Sequence, residues 1–295
     1  MKINDLVLRD GLLYTKERIM ATDMFDMLKC RPLESLLSPL DIEYLHKIAT
    51  SLRYSGNINL KYKKMDELMR KRNFVKFACG TNRRIYRYLD DDSFILKVAV
   101  DNVGIEDSPK EFINQEYLKP FVSKIFQVSP CGTVALCEKV DPVRTRDEFI
   151  EIAGDVFDML YLTNILGRYV LEDIGNDAFM NYGIRKGFGP VILDYPYLYQ
   201  VQSENDLMCH NIVHGRECRG HIKYDDGLNN LICEKCGKLY TGKQIGKPVY
   251  EIPKNQSIYN AIIEEECYNN KTSLSSISKD GVVLAEFSRN SDVIY

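Results

Sequence analysis

The chain has 295 residues, 45% of them apolar and 27% charged, which is the composition of an ordinary globular protein and long enough for more than one domain. A net charge of −3 excludes a chain that binds polyanions through its overall charge. No run of eighteen apolar residues is present, so no membrane span is expected, and Asp5, Arg9 and Asp10 interrupt the N-terminal stretch in a way unlike a signal peptide.

Residues 1–75 read as helical. In "SPLDIEYLHKIATSLRY", Ser38 is a cap, Pro39 opens the first turn, and Leu40, Tyr44, Leu45, Ile48 and Leu52 recur at helical spacing. "KYKKMDELMRKRNFVKF" reads as a second helix, rich in Lys and Arg; a solvated face is the commoner reading of such a helix, and a phosphate-binding surface the other. From Phe77 the pattern changes to "RRIYRYL" and "SFILKVAV", a hairpin around three aspartates, entered at Gly80. "PKEFINQEYLKPFV" reads as a short helix. "IFQVSP" and "TVALCEKV" read as strands. Residues 146–170 read as a long amphipathic helix with Phe149, Ile152, Val156, Leu160 and Val170 on one face. "NYGIR" and "PVILDY" follow as short strands.

This order resembles the protein-kinase-like fold. "FILKVAV" is similar to the strand whose lysine meets nucleotide phosphates, which implies that role for Lys97. Glu116, nineteen residues later, is similar in place to the helix carboxylate that holds such a lysine. "VALCEKV" would be the hinge, its backbone at Leu136–Lys139 meeting an adenine. "ILDY" resembles the metal-binding segment with Asp194 as ligand, and Asn181 sits where a second metal ligand ends the catalytic loop. Phosphoryl transfer needs cations on the phosphates, a carboxylate and an amide on the metals, and a base for the acceptor. Departures are plain. Gly80 is the one glycine left where a phosphate loop carries several, with Arg83 and Arg84 as substitute charge. Asn176 stands five residues before Asn181, where a catalytic aspartate belongs, so Asp173 serves only if the loop is longer. Pro196 replaces a glycine, and no peptide-binding lobe follows Asp194.

"CRGHIKYDDGLNNLICEKCGKLY" carries the second signal. Cys233 and Cys236 form a knuckle that Gly237 lets the backbone leave, and a hairpin separates them from Cys218. A tetrahedral metal needs a fourth ligand. Cys209 is favoured although Cys-x8-Cys is wider than usual, with His210, His214 and His221 as alternatives. The expected unit is a structural zinc ribbon. The five other cysteines (Cys30, Cys79, Cys131, Cys137 and Cys267) are scattered, which fits free thiols in a reducing compartment. In the tail, Ser257–Glu266 reads as a helix and "VVLAEF" as a strand.

The expected architecture is therefore α+β. It comprises N-terminal helices (1–75), a kinase-like core with a truncated second lobe (76–202), a zinc ribbon (203–246) and a helix/strand tail (247–295). The order of pieces also resembles virion or structural proteins of large tailed phages of Gram-positive bacteria. That resemblance implies a phage-encoded chain in the virion or the host cytoplasm, with protein partners in a larger assembly. Three functions are expected in turn: a catalytically degenerate kinase-fold scaffold, an active Mg·ATP phosphotransferase, or a nucleic-acid-binding regulator using the ribbon and the basic helix. The acidic residues of the ribbon disfavour the last.

Overall fold

The computed structural model describes residues 6–9, 12–51, 58–162, 168–225 and 230–270. Strands β1 (Leu6–Arg9) and β2 (Leu12–Thr15) pair antiparallel and run into helix α1 (Lys16–Met27). Helix α2 (Pro39–Thr50) starts where the sequence places it. The Ser38 hydroxyl accepts from the Asp41 N–H at 3.2 Å, and the Asp41 carboxylate accepts from the Ser38 N–H at 2.9 Å.

Helix α3 (Ile58–Lys71) is shorter than expected. Asn73 adopts a left-handed φ of 65°, the conformation that ends helices, and Phe74–Cys79 then forms strand β3. The 75/76 boundary therefore falls inside a strand. Strands β4 (Arg83–Tyr88) and β5 (Phe94–Ala99), helix α4 (Asn102–Leu118), and strands β6 (Ile125–Val128) and β7 (Val134–Glu138) follow. They build one five-stranded antiparallel sheet of order β3-β4-β5-β7-β6, with α4 as the connection between β5 and β6.

Each face of this sheet has its own core. On one, Leu45 of α2 and Met65 and Met69 of α3 pack with Phe74, Tyr86, Phe94, Leu96 and Leu136. Burying each such side chain is worth about 2 kcal/mol, so the N-terminal helices are part of the sheet's fold. On the other, Ile113 and Leu118 of α4 pack with Val122, Ile125 and Cys137 and with residues from the second half of the chain. Two glycines set the fit of α4. A Cβ on Gly104 would lie 2.2 Å from the Asn82 carbonyl oxygen, and one on Gly132 2.4 Å from that of Ile105.

The second half is built from small pieces: β8 (Asp141–Pro142), α5 (Arg146–Leu162), β9 (Tyr169–Leu171), β10 (Tyr182–Arg185), β11 (Gly189–Ile192) and β12 (Leu198–Gln200). Val170 lies on β9 opposite Tyr199, so it is not part of the helical face expected to include it. The ribbon comprises β13 (Ile212–Val213), β14 (Arg216–Glu217), β15 (Ile222–Tyr224), β16 (Leu231–Cys233) and β17 (Leu239–Tyr240). A short helix α6 (Gly242–Ile245) and strand β18 (Lys247–Pro248) return the chain to pair with β12. The Tyr224 hydroxyl accepts from Leu171 N–H at 2.8 Å and donates to Leu171 C=O at 2.9 Å, so the ribbon is bonded to β9 directly. Helix α7 (Pro253–Asn270) packs on α4, with Tyr259 in the core and Asn255 bonded to the Tyr117 hydroxyl. It is longer at both ends than the sequence suggests, and the expected strand "VVLAEF" lies outside the described residues. The fold is mixed α+β, and among the described residues no helix is long and apolar enough to cross a membrane.

Candidate functional site

Two centres stand out, one made of charges and one of sulfur. The charge centre lies between the sheet, α4 and the segment after β11. Lys97, on β5, reaches across to Glu111 on α4 at 3.0 Å and donates to the Leu193 carbonyl at 2.6 Å. The predicted partner, Glu116, is on the exposed side of the same helix and pairs with Lys119 at 3.0 Å. Five residues at 100° each turn a side chain well away from the first, so a helix that buries Glu111 must expose Glu116. The buried stripe of α4 (Gly104, Asp107, Ser108, Glu111, Gln115 and Leu118) shows the i, i+3, i+4 spacing that identifies Glu111.

Arg83 completes the cluster. Its guanidinium grips both Glu111 oxygens, at 2.7 and 2.9 Å, and also donates to the carboxylate of Asp194. Glu111 takes a further bond from the Tyr195 N–H at 3.2 Å. Arg84, also expected to offer charge here, points to the opposite face because successive strand residues alternate. There it binds Asp66 and stacks on Tyr62 at 4.3 Å. Burial opposes the charge on Asp194, but Arg83, and after it Glu111 as a hydrogen-bond partner and the charge of Lys97, outweigh it and hold the carboxyl well below the usual carboxylate range. Burial dominates at Glu111 and pushes it up, against the pull of Arg83 and Lys97.

Of the other candidates, Asp173 and Asn181 lie beside Asp194. Asn181 donates to the Asp173 carbonyl at 3.0 Å, and its own carbonyl accepts from the Leu193 N–H at 2.7 Å. Asp173 sits at a left-handed φ of 59°, with its carboxyl pushed up by burial and by the nearby charge of Asp194. Gly80 lies exposed in the β3–β4 turn, its N–H bonded to the Arg83 carbonyl at 2.9 Å. The backbone expected to serve as a hinge is engaged within the chain: Glu138 N–H donates to Lys124 C=O and Lys139 N–H to Ser93 C=O, at 2.7 and 3.1 Å. Asp107 and Asn114, which no motif or spacing singles out, are also buried on α4. Asn114 donates to the carbonyls of Tyr195 and Pro196, holding the segment after Asp194 against the helix.

Arg83→Met leaves Glu111 buried with less than its full complement of donors. Lys97 remains, and Asp194, with 41% of its side chain exposed, can be hydrated. The expected loss is therefore near the low end for breaking a buried ion pair, about 3 kcal/mol, seen as a lower urea midpoint at unchanged slope. Glu116→Gln is expected to leave the midpoint in place, and an equal effect of the two substitutions would contradict the assignment of Glu111.

The sulfur centre needs no correction. The Sγ atoms of Cys209, Cys218, Cys233 and Cys236 all lie within 4.8 Å of one another, and two of the separations, Cys209–Cys236 and Cys218–Cys233, are 3.6 Å. The edge of a tetrahedron with metal–sulfur bonds of ~2.3 Å is about 3.8 Å, so the cluster fits a four-thiolate metal ion. The wide Cys-x8-Cys spacing closes because the intervening residues fold into the β13–β14 hairpin. Its turn residues His214 and Gly215 both have positive φ, at 51° and 74°. Cys209 N–H then bonds Gly220 C=O and Arg219 N–H bonds Cys209 C=O, bringing the two sulfurs together. The three histidines stay outside. His210 pairs with Glu217, His214 is in the turn, and His221 is exposed. Around the sulfurs, the Tyr240 hydroxyl donates to Cys209 at 3.0 Å and the Lys235 N–H to Cys233 at 3.4 Å, contacts that stabilise thiolate charge.

Comparison with protein-family models and with curated proteins gives no match to this chain.

Proposed function

We propose that this chain is a catalytically degenerate, kinase-like protein that serves as a structural or interaction module in a larger protein assembly. The observation that carries the reading is Arg83. Its guanidinium bridges Glu111 and Asp194, taking the carboxylate that a nucleotide-bound magnesium would need. The hinge donors expected to meet an adenine are already bonded within the chain. The element order supports the kinase-like assignment. A hairpin carries the lysine on its second strand, a helix supplies the carboxylate, and two strands follow. The four-cysteine cluster is a zinc site on this reading. All its ligands are protein sulfurs, which leaves no position for a catalytic water, so the ion braces the ribbon.

The encoding genome is a tailed phage of Gram-positive bacteria, and the chain travels in the virion or acts in its assembly inside the host. That part rests on the sequence resemblance, and recovering the chain in stoichiometric amount from purified particles would support it. An active phosphotransferase is the second reading, favoured by Asn181 and Asp173 meeting beside Asp194. Millimolar Mg·ATP separates the two. The scaffold reading expects an unmoved melting temperature, whereas stabilisation of several degrees that disappears in Lys97→Ala would establish nucleotide binding and defeat it.

A further inference from the structure

On the far side of the sheet from the Lys97 cluster, α3 and strands β3 and β4 enclose a groove of about 410 Å³. Four cations line it against two carboxylates, on a protein whose net charge is −3. One of the four is structural. Arg84 is 4% exposed, bonded through two nitrogens to Asp66, stacked on Tyr62, and supported by the Tyr86 hydroxyl on the same Asp66. This network neutralises Asp66 and makes a rigid floor. The other three cations, Lys63, Arg70 and Lys76, are exposed, and no carboxylate pairs with any of them among the described residues. Lys63 and Arg70 are two turns apart on one side of α3, about 10 Å along its axis, and Lys76 comes from the neighbouring strand. Glu67, exposed on α3 between Lys63 and Arg70, offsets one of these three charges, which leaves a net of two positive charges above a fixed floor, a surface suited to a chain of anions.

We propose that this groove binds a single strand of nucleic acid through its phosphates. The shape favours a strand over a duplex. Duplex readers push a helix or ribbon into the nucleic acid, whereas here the concavity belongs to the protein, as in proteins that follow a single-stranded backbone. Recognition is by charge, so it is independent of sequence and weakened by salt. The proposal places this contact on α3, away from the ribbon, and it stands whether or not the kinase-like cleft takes a nucleotide.

Fluorescence anisotropy of the full chain with a fluorescein-labelled fifteen-nucleotide oligothymidylate tests it. Binding is expected at 50 mM salt, with an apparent affinity falling with salt at a logarithmic slope of about −2, as three phosphate contacts on a single strand require. Lys63→Glu with Arg70→Glu should weaken binding at least tenfold, while the same charge change at Lys186→Glu with Lys243→Glu should leave it within twofold. All four side chains are exposed, and an unchanged melting temperature confirms that the variants fold. Absence of binding at 50 mM salt, or equal weakening by both pairs, would overturn the site. Displacement by tripolyphosphate as effective, per phosphate, as by unlabelled strand would make this a site for free phosphates and overturn the assignment to a strand.

Discussion

Cys236→Ser is expected to empty the metal site and unfold the ribbon. Elemental analysis of the wild-type chain, purified without chelator, should give one zinc per molecule, and the variant close to none. A ribbon of this size has a small core: Leu207, Ile222, Leu231 and Ile245 with Val170 and Tyr199 of the neighbouring sheet. Metal binding supplies ~10 kcal/mol or more to such units, more than this core can replace. Hydrogen exchange should therefore show loss of protection in β13–β17, while the central strands β4, β5 and β7 keep theirs. Protection at Leu171 should also fall, because its N–H is bonded to the ribbon's Tyr224. His210→Ala, His214→Ala and His221→Ala should each retain the metal. A chain that holds no zinc, or a ribbon equally protected after chelation, would refute the metal assignment.

Asp107→Asn is expected to stabilise the protein in a pH-dependent way. The Asp107 side chain is buried on α4, and its Oδ1 has no hydrogen-bond partner; Lys110 is 3.9 Å away. Burial pushes its carboxyl up to about 7, against the pull of Arg83 and Lys110 and with help from the repulsion of Glu111 and Asp194. Charge balance agrees, since Arg83 and Lys97 already face Glu111 and Asp194, leaving Asp107 as the surplus acid. The folded protein thus binds a proton that the unfolded chain releases near pH 4. Stability from this group is fully present below about pH 4 and is lost as pH rises towards 7. Three units at 1.36 kcal/mol each give a difference of about 4 kcal/mol between variant and wild type at pH 8, vanishing near pH 4. Urea midpoints of both proteins from pH 4 to 8 measure it, and a difference that does not grow with pH would show that Asp107 is ionised in the folded state.

The parts of the molecule that could be read in the sequence are those whose signal is local. Ser38, Pro39 and Asp41 cap a helix through neighbours three residues away, and Cys233, Cys236 and Gly237 make a knuckle within one turn of chain. The hairpin of β4 and β5, with Lys97 on its second strand, was legible for the same reason. Cys209 was harder. Its approach to Cys218 depends on the His214–Gly215 turn, a two-residue hairpin that a Cys-x-x-Cys spacing does not contain. Helix α3 ends six residues before the limit that its apolar pattern predicts, because "NFVKF" continues that pattern while Asn73 already stops the backbone.

Residue types, their spacing along single elements and the reach of a turn were enough to determine an α+β chain with a lysine-bearing hairpin and three sulfurs of the cluster, with Cys209 favoured over three histidines for the fourth place. Which carboxylate meets Lys97 was decided by the rotation of α4 on the sheet, and which of two adjacent arginines enters the cluster was decided by which face of β4 the second core covers. Both choices are matters of phase. A helix or strand offers every face equally until something packs against it, so the partners brought together from Arg83, Lys97, Glu111 and Asp194 exist only once α4 and the segment after β11 close over the sheet.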